Sequence, residues 1–316
     1  MSDGDGRLGG EHVTTTPRDD DARKSRAAWA SVGANVVLIV FKLAVGTLSG
    51  SIGIISEALH SATDLIAAII TLVSVGQAAR PADVRHRYGH GKVEDLSSIV
   101  EGLLIWAAAV LIVIEAVQHL IHGEHIDHLP LAVGVMLISA LVNLGLALYL
   151  YPVARSTESA ALRADAAHHL TDVYTSLGVA GGLALVWATG KAYYDPILAM
   201  GVAGLIMWTA WGLVSRSTRE LLDEALPADE VALIRGTVEE HRGELIVGYH
   251  RLRTRRTGSH RQIDLHVTVP GEMPIGEAHD VAEHIERDIM ARLPNTDVLV
   301  HVEPASHVPE DDARSR

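Results

Sequence analysis

Six stretches of the chain stay apolar long enough to cross a bilayer, which takes about 20 residues. They cover roughly 27–48, 52–79, 97–121, 129–152, 164–189 and 195–215. The first carries Lys42 as its one charge and the fourth carries none. Segments of this length and polarity make poor soluble helices, so the pattern predicts an all-α, six-helix transmembrane bundle over 27–219. Residues 1–26 are polar, rich in Gly and Asp and without an apolar core, which predicts a disordered tail rather than a cleavable signal peptide. From about 220 the period changes. Gln262-Ile263-Asp264-Leu265-His266-Val267 alternates as a strand does, and Pro270, Gly271 and Pro274 punctuate before a helix. The order predicted is helix 229–241, strand 246–254, strand 261–269, helix 275–293 and strand 297–302. That is a small α+β domain (αββαβ, ferredoxin-like) over 220–305, with 306–316 as a second tail.

Basic residues fall on one side of the six segments. Arg18, Arg23, Lys24 and Arg26 precede the first; Arg80, Arg85, Arg87 and Lys92 follow the second. Arg155 and Arg163 flank the fourth connection, and Arg216 and Arg219 follow the sixth. The opposite turns hold none at 47–52, none at 122–128 and Lys191 alone in the last. The positive-inside rule then puts both termini in the cytoplasm. A prokaryotic plasma membrane suits a chain without targeting segments.

Composition narrows the chemistry. Hydrophobic residues make up 48% of the 316, yet aromatics only 4%, so Ala, Val, Leu and Ile carry the apolar mass. Cysteine is absent, which excludes disulfides, thiolate metal sites and cysteine nucleophiles. The net charge is −13, and the region from 220 onward holds 20 acidic residues against 11 Arg, so −9 of the total lies there. No basic surface invites nucleic acid. Histidine stands out, with 18 residues in a patterned distribution.

Two apolar segments repeat one motif. The second contains His60-Ser61-Ala62-Thr63-Asp64 and the fifth His168-His169-Leu170-Thr171-Asp172. In each, His and Asp stand at i and i+4 on one helical face. Ionisable groups at this depth are expensive and need a partner or a function. One reading is a hydrogen bond internal to each helix. The other, favoured by the repetition, turns the two faces together and offers two imidazole nitrogens and two carboxylate oxygens, a tetrahedral set that suits Zn²⁺ better than a hard six-coordinate cation. Glu57 lies one turn before His60, as a supporting partner or a helix-end carboxylate. Asp165 and His169 fit the His168/Asp172 face less cleanly.

These residues resemble the cation diffusion facilitators, dimeric divalent-metal/proton antiporters. The likeness runs from about 27 to 305. Its most specific stretch is Arg80-Pro81-Ala82-Asp83, then His86, then Tyr88-Gly89-His90-Gly91-Lys92-Val93-Glu94. The resemblance implies a transport site of His60, Asp64, His168 and Asp172, and a loop metal site of Asp83, His86 and His90. It further implies a zinc site in the cytoplasmic domain from His250, His266, His279, His301 and Glu303, shared across a homodimer. Glu303 takes a position often held by Asp. Lys92 and Asp223 match a family charge pair that ties the loop to the soluble domain. The His form of the transport motif resembles zinc-selective members, whereas manganese-type members use oxygen ligands there; Fe²⁺ and Co²⁺ remain compatible with this donor set. His241, His260, His284 and His307 match no role and read as surface residues.

His119, His122, His125 and His128 recur every three residues toward an outer loop, with Glu124 and Asp127 between. They read either as a polar loop or as a weak surface that receives released cation. Zn²⁺ binds only neutral imidazole, and histidine titrates near neutrality, so metal and proton compete for the same side chains. With alternating access, that competition yields antiport. Zinc in the soluble domain is expected to be regulatory or structural. The rivals are an Fe²⁺, Co²⁺, Cd²⁺ or Mn²⁺ exporter, a passive channel, and an intramembrane metalloenzyme. The last is disfavoured because no His-Glu-x-x-His occurs and four protein ligands leave no open zinc position.

Overall fold

The computed structural model describes residues 17–49, 52–122, 129–191, 193–243 and 245–307. Six long helices come first: α1 (Pro17–Ser49), α2 (Ile52–Ala78), α3 (Lys92–His122), α4 (Leu129–Ser156), α5 (Ala160–Thr189) and α6 (Tyr194–Leu221). Within α1, α2, α3, α4 and α6 lie stretches long and apolar enough to cross a membrane. α5 matches them in length at 30 residues but carries Asp165, His168, His169 and Asp172. Together they make a multi-pass membrane protein.

α5 is the centre of the bundle. One side packs Ala161, Leu162 and Ala166 against Ala27 and Ala28 of α1, Val75 of α2 and Leu146, Leu150 and Ala154 of α4. Ala164 faces the other way, onto Ile105 and Ala109 of α3 and Ala203, Ile206 and Ala210 of α6. In lipid no hydrophobic force drives helices together, so small residues that let backbones approach do the work. Alanine supplies that surface. The helix starts cleanly because the Ser159 hydroxyl accepts from the Leu162 N–H, and stops at Gly190 with φ 70°.

The expected tail is partly helix. Residues 17–26 extend α1 upstream, contrary to the prediction of disorder through residue 26. Asp19 and Asp20 occupy its first turn, where acidic side chains favour the helix dipole. Lys24 is buried, its Nζ 3.1 Å from Glu94 Oε1 of α3 and 3.4 Å from Ser259 Oγ. The extension is polar because its partners are polar.

Beyond α6 come α7 (Ala228–Glu239), β1 (Gly248–Thr257), β2 (His260–Val269), α8 (Ile275–Arg292) and β3 (Thr296–Pro304). This is the expected αββαβ order. The sheet order is β1-β2-β3, antiparallel between β1 and β2 and parallel between β2 and β3. α8 makes the crossover and buries Ala278, Val281, Ala282, Ile285 and Ile289 against Ile263, Leu265 and Val267 of the sheet. One surface assignment changes: His241 is half-buried, its Nε2 2.9 Å from Asp288 Oδ2, joining the end of α7 to α8.

The small α+β domain sits against the ends of the helices at the α2–α3 loop and the α4–α5 turn. Arg261 presents Nε and Nη2 to the two oxygens of Glu230 at 2.9 and 2.8 Å, a fork-to-carboxylate match. The same guanidinium reaches Glu158, in the α4–α5 turn, at 2.7 Å, and Arg256 pairs with that carboxylate as well. Nearby, Gly91 lies directly on the β1–β2 turn, so close that a Cβ there would come within 2.5 Å of the Thr257 carbonyl oxygen.

Candidate metal centres

α2 and α5 bring Asp64, His168 and Asp172 together, with one donor atom from each within 4.8 Å of the others. His168 Nε2 lies 3.2 Å from Asp64 Oδ1. Asp64 is buried and His168 nearly so. The His168 Nδ1 atom is also buried and has no hydrogen-bond partner among the described residues. His60 belongs to α2, one turn before Asp64, but its side chain lies outside the described residues, as does that of Glu57.

Around this cluster is a polar layer that sequence reading underrated. Asp165 and His169 are fully buried rather than peripheral. Asn143 of α4 donates from Nδ2 to Asp172 Oδ2 at 3.1 Å, and its Oδ1 is 3.1 Å from His169 Nδ1. Ser31 Oγ of α1 lies 2.9 Å from His169 Nε2 and 3.1 Å from Asp165 Oδ1. Lys42, which stood out as a lone charge in the first segment, reaches Ser61 Oγ at 2.8 Å. Glu101 of α3, not singled out from sequence, is fully buried and takes a hydrogen bond from Thr71. Its signal was available: a carboxylate well inside an apolar run.

The second cluster occupies the α2–α3 loop. Donor atoms of Asp83, His86 and His90 lie within 4.8 Å of one another. Backbone N–H groups of Arg85 and His86 both donate to Asp83 Oδ1 at 2.7 Å, which holds that carboxyl below the usual carboxylate range. The loop lines a cleft of about 470 Å³ shared with Tyr88, Leu221, Arg255 and Thr257. Lys92 Nζ lies 2.7 Å from Asp223 Oδ1, and Arg255 reaches the other oxygen at 3.2 Å. The hydrogen bond from Lys92 depresses the Asp223 pKa.

A third cluster lies on the sheet. Register pairs His250 with His266 across β1 and β2, and His266 with His301 across β2 and β3. Three imidazoles therefore stand in one row. Glu303 follows two residues after His301 on the same face, its Oε1 2.6 Å from His266 Nδ1 and 3.4 Å from His301 Nε2. Glu303 Oε2 is 3.5 Å from His250 Nε2. Donor atoms of His250, His266 and Glu303 lie within 4.8 Å of one another, while the His301 side chain is 61% exposed at the edge. His279 stands apart on α8, exposed and 3.3 Å from Glu283. Of the outer histidines, His119 is on α3; the His122 side chain and residues 123–128 lie outside the described residues.

Residues 28–222 match a family profile described as the cation efflux transmembrane domain, and residues 226–305 one described as the cation efflux protein cytoplasmic domain. The chain belongs to the cation efflux family, the cation diffusion facilitators. An uncharacterized transporter of Synechocystis is 35% identical over 87% of this chain and 88% of its own length. The cation-efflux pump FieF of Yersinia pestis is 33% identical over 90% of this chain and 94% of its own. A solved structure of CzrB in a zinc form is 35% identical, covering 28% of this chain and 99% of that one, with a TM-score of 0.26. Both halves of the cation efflux architecture are thus present in one chain.

Proposed function

We propose that the protein exports divalent cations, zinc foremost, from the cytoplasm across the plasma membrane in exchange for protons, by alternating access in a homodimer. The observation that carries this reading is the meeting of Asp64, His168 and Asp172 between two membrane helices. Were His60, in the turn before Asp64, to join them, two nitrogens and two oxygens would make the tetrahedral donor set of zinc. Imidazole must shed its proton before it can ligate, so filling the site from the cytoplasm releases protons and emptying it outward takes them up. A proton gradient directed inward then drives metal outward. Basic loops on the side of the soluble domain support cytoplasmic termini.

The row of His250, His266 and His301 with Glu303 would take zinc when the cytoplasm is loaded, His279 joining from the partner protomer. Ligand bound there favours one arrangement of the dimer. The loop cluster of Asp83, His86 and His90 is a further cytoplasmic metal site, and Lys92 with Asp223 is the hinge between loop and soluble domain.

The test is flux in proteoliposomes made with the full chain and a pH-sensitive dye inside. Zinc added to the outside of inverted vesicles should move protons in the wild type and move none with Asp172→Ala. Zinc flux that persists in that variant overturns the site. Flux indifferent to a pH gradient replaces the antiporter with a passive channel.

A further inference from the structure

Asn143 is a polar side chain buried in a helix whose segment carries no charge, and a buried amide is costly unless each of its groups is bonded. Both ends are engaged. The chemistry fixes which end points where. An ionised carboxylate can only accept, so the NH₂ group faces Asp172 Oδ2, 3.1 Å away, and the carbonyl faces His169. His169 Nδ1 must then carry the proton that Asn143 Oδ1 accepts, over 3.1 Å. Ser31 and Asp165 hold the far side of that ring. The result is a chain of contacts from α1 through α5 to α4 that ends on one oxygen of one candidate ligand.

We propose that Asn143, oriented by His169, is a positioning residue that sets metal selectivity by holding Asp172 Oδ2 and so keeping that carboxylate a one-oxygen ligand. The inference rests on reading Asp64, His168 and Asp172 as the transport site. Its physical basis is coordination number. Zinc is satisfied by four donors and takes a carboxylate through a single oxygen. Manganese prefers six oxygen-rich positions, which a four-residue site approaches only if its carboxylates bind through both oxygens. An amide fixed against Oδ2 opposes the second mode and leaves the first intact. His169 does not touch the ion in this arrangement; it keeps the amide from turning over and offering its carbonyl to the carboxylate.

The experiment measures the concentration dependence of Zn²⁺ and Mn²⁺ transport by the full chain in proteoliposomes. Asn143→Leu should raise the half-saturating zinc concentration by about 10- to 100-fold, the usual cost of removing a partner behind a metal ligand. Manganese should move far less, so the zinc preference falls by about tenfold or more. Asn143→Ser, too short to reach Asp172, serves where the leucine variant fails to enter the bilayer. His169→Leu should act in the same direction. His169→Asn, which can donate from nearly the place of Nδ1, should restore the preference. Equal shifts for the two metals, or His169→Asn behaving like His169→Leu, mean that the pair is only packing and overturn the proposal. Asp172→Ala separates the two levels. If it leaves the zinc response unchanged, the transport site falls and this inference with it. If it abolishes the response while Asn143→Leu leaves selectivity intact, this inference alone fails.

Discussion

In the membrane half of the molecule, Asp172 is held by the amide of Asn143; in the soluble half, Glu303 is held by the histidines beside it. Both places gather carboxylate and imidazole, yet they satisfy those groups differently. The membrane cluster has supports that are not candidate ligands, and these fix at least one donor before any ion arrives. On the sheet two candidate ligands, His266 and Glu303, bond each other, while His250 Nε2 stays buried without a hydrogen-bond partner among the described residues. His266 Nδ1 is 2.6 Å from Glu303 Oε1, so an ion taken there must displace a hydrogen bond. The first arrangement favours a fixed geometry repeated in every cycle. The second favours a site whose filling rearranges its surroundings, which suits sensing better than carrying.

Removing one carboxylate from each place breaks the comparison most directly. Asp64→Ala should lower zinc flux by about a hundredfold or more, beyond the 10–100-fold expected for a supporting partner. Glu303→Gln should leave turnover near the wild-type value at saturating zinc and change only how much zinc the cytoplasmic side needs for full rate. Side-by-side flux curves on full-length protein check both. A Glu303→Gln variant as dead as Asp64→Ala would put the sheet cluster on the transport path.

How much of this was visible in the sequence differs between the two places. The membrane donors were legible because helical spacing is local: His168 and Asp172 share a face whatever surrounds them. The row of imidazoles was reached only through the family resemblance, because strand register depends on the β1–β2 turn and the β2–α8–β3 crossover. A β-bulge after His250, with Arg251 at φ 51°, adds a shift that no alternation pattern reveals. The supporting layer was missed for another reason. Ser31, Asn143 and Asp165 come from three helices, and only packing shows that they meet. Polar residues inside apolar runs were the available hint. The polar start of α1 misled in the opposite sense, since Lys24 is buried against Glu94 rather than solvated.

A smaller effect is expected where the two halves touch. Gly91 and Gly258 face each other backbone to backbone, and a Cβ on Gly91 would overlap the Thr257 carbonyl. Because the obstacle is backbone, it cannot swing aside as a side chain would. Gly91→Ala should cost about 1–3 kcal/mol, the range of forced overpacking. A lowered thermal midpoint in detergent, with zinc affinity of the membrane cluster unchanged, is the expected signature. An unchanged midpoint would mean that the seam between loop and hairpin is not held at this distance.

The smallest effect sharpens the comparison by showing what the seam does not do. Glu230 has its pKa lowered chiefly by the hydrogen bond from Arg261, and Asp223 by that from Lys92. A carboxyl whose folded pKa is depressed stabilises the fold fully above its unfolded value, about 4 for Asp and Glu, and loses that contribution as pH falls through the lower folded value. Both pairs are therefore constant between about pH 5.5 and 8, the range in which a free imidazole changes charge. Asp223 is exposed enough that its pair with Lys92 contributes no more than about 0–1 kcal/mol. Lys92→Ala should accordingly shift stability slightly at every pH in that window and leave the shape of the flux–pH curve as it is in the wild type. A curve whose midpoint moves with Lys92→Ala would place pH sensing at that pair and overturn the proposal that the membrane histidines alone couple protons to metal.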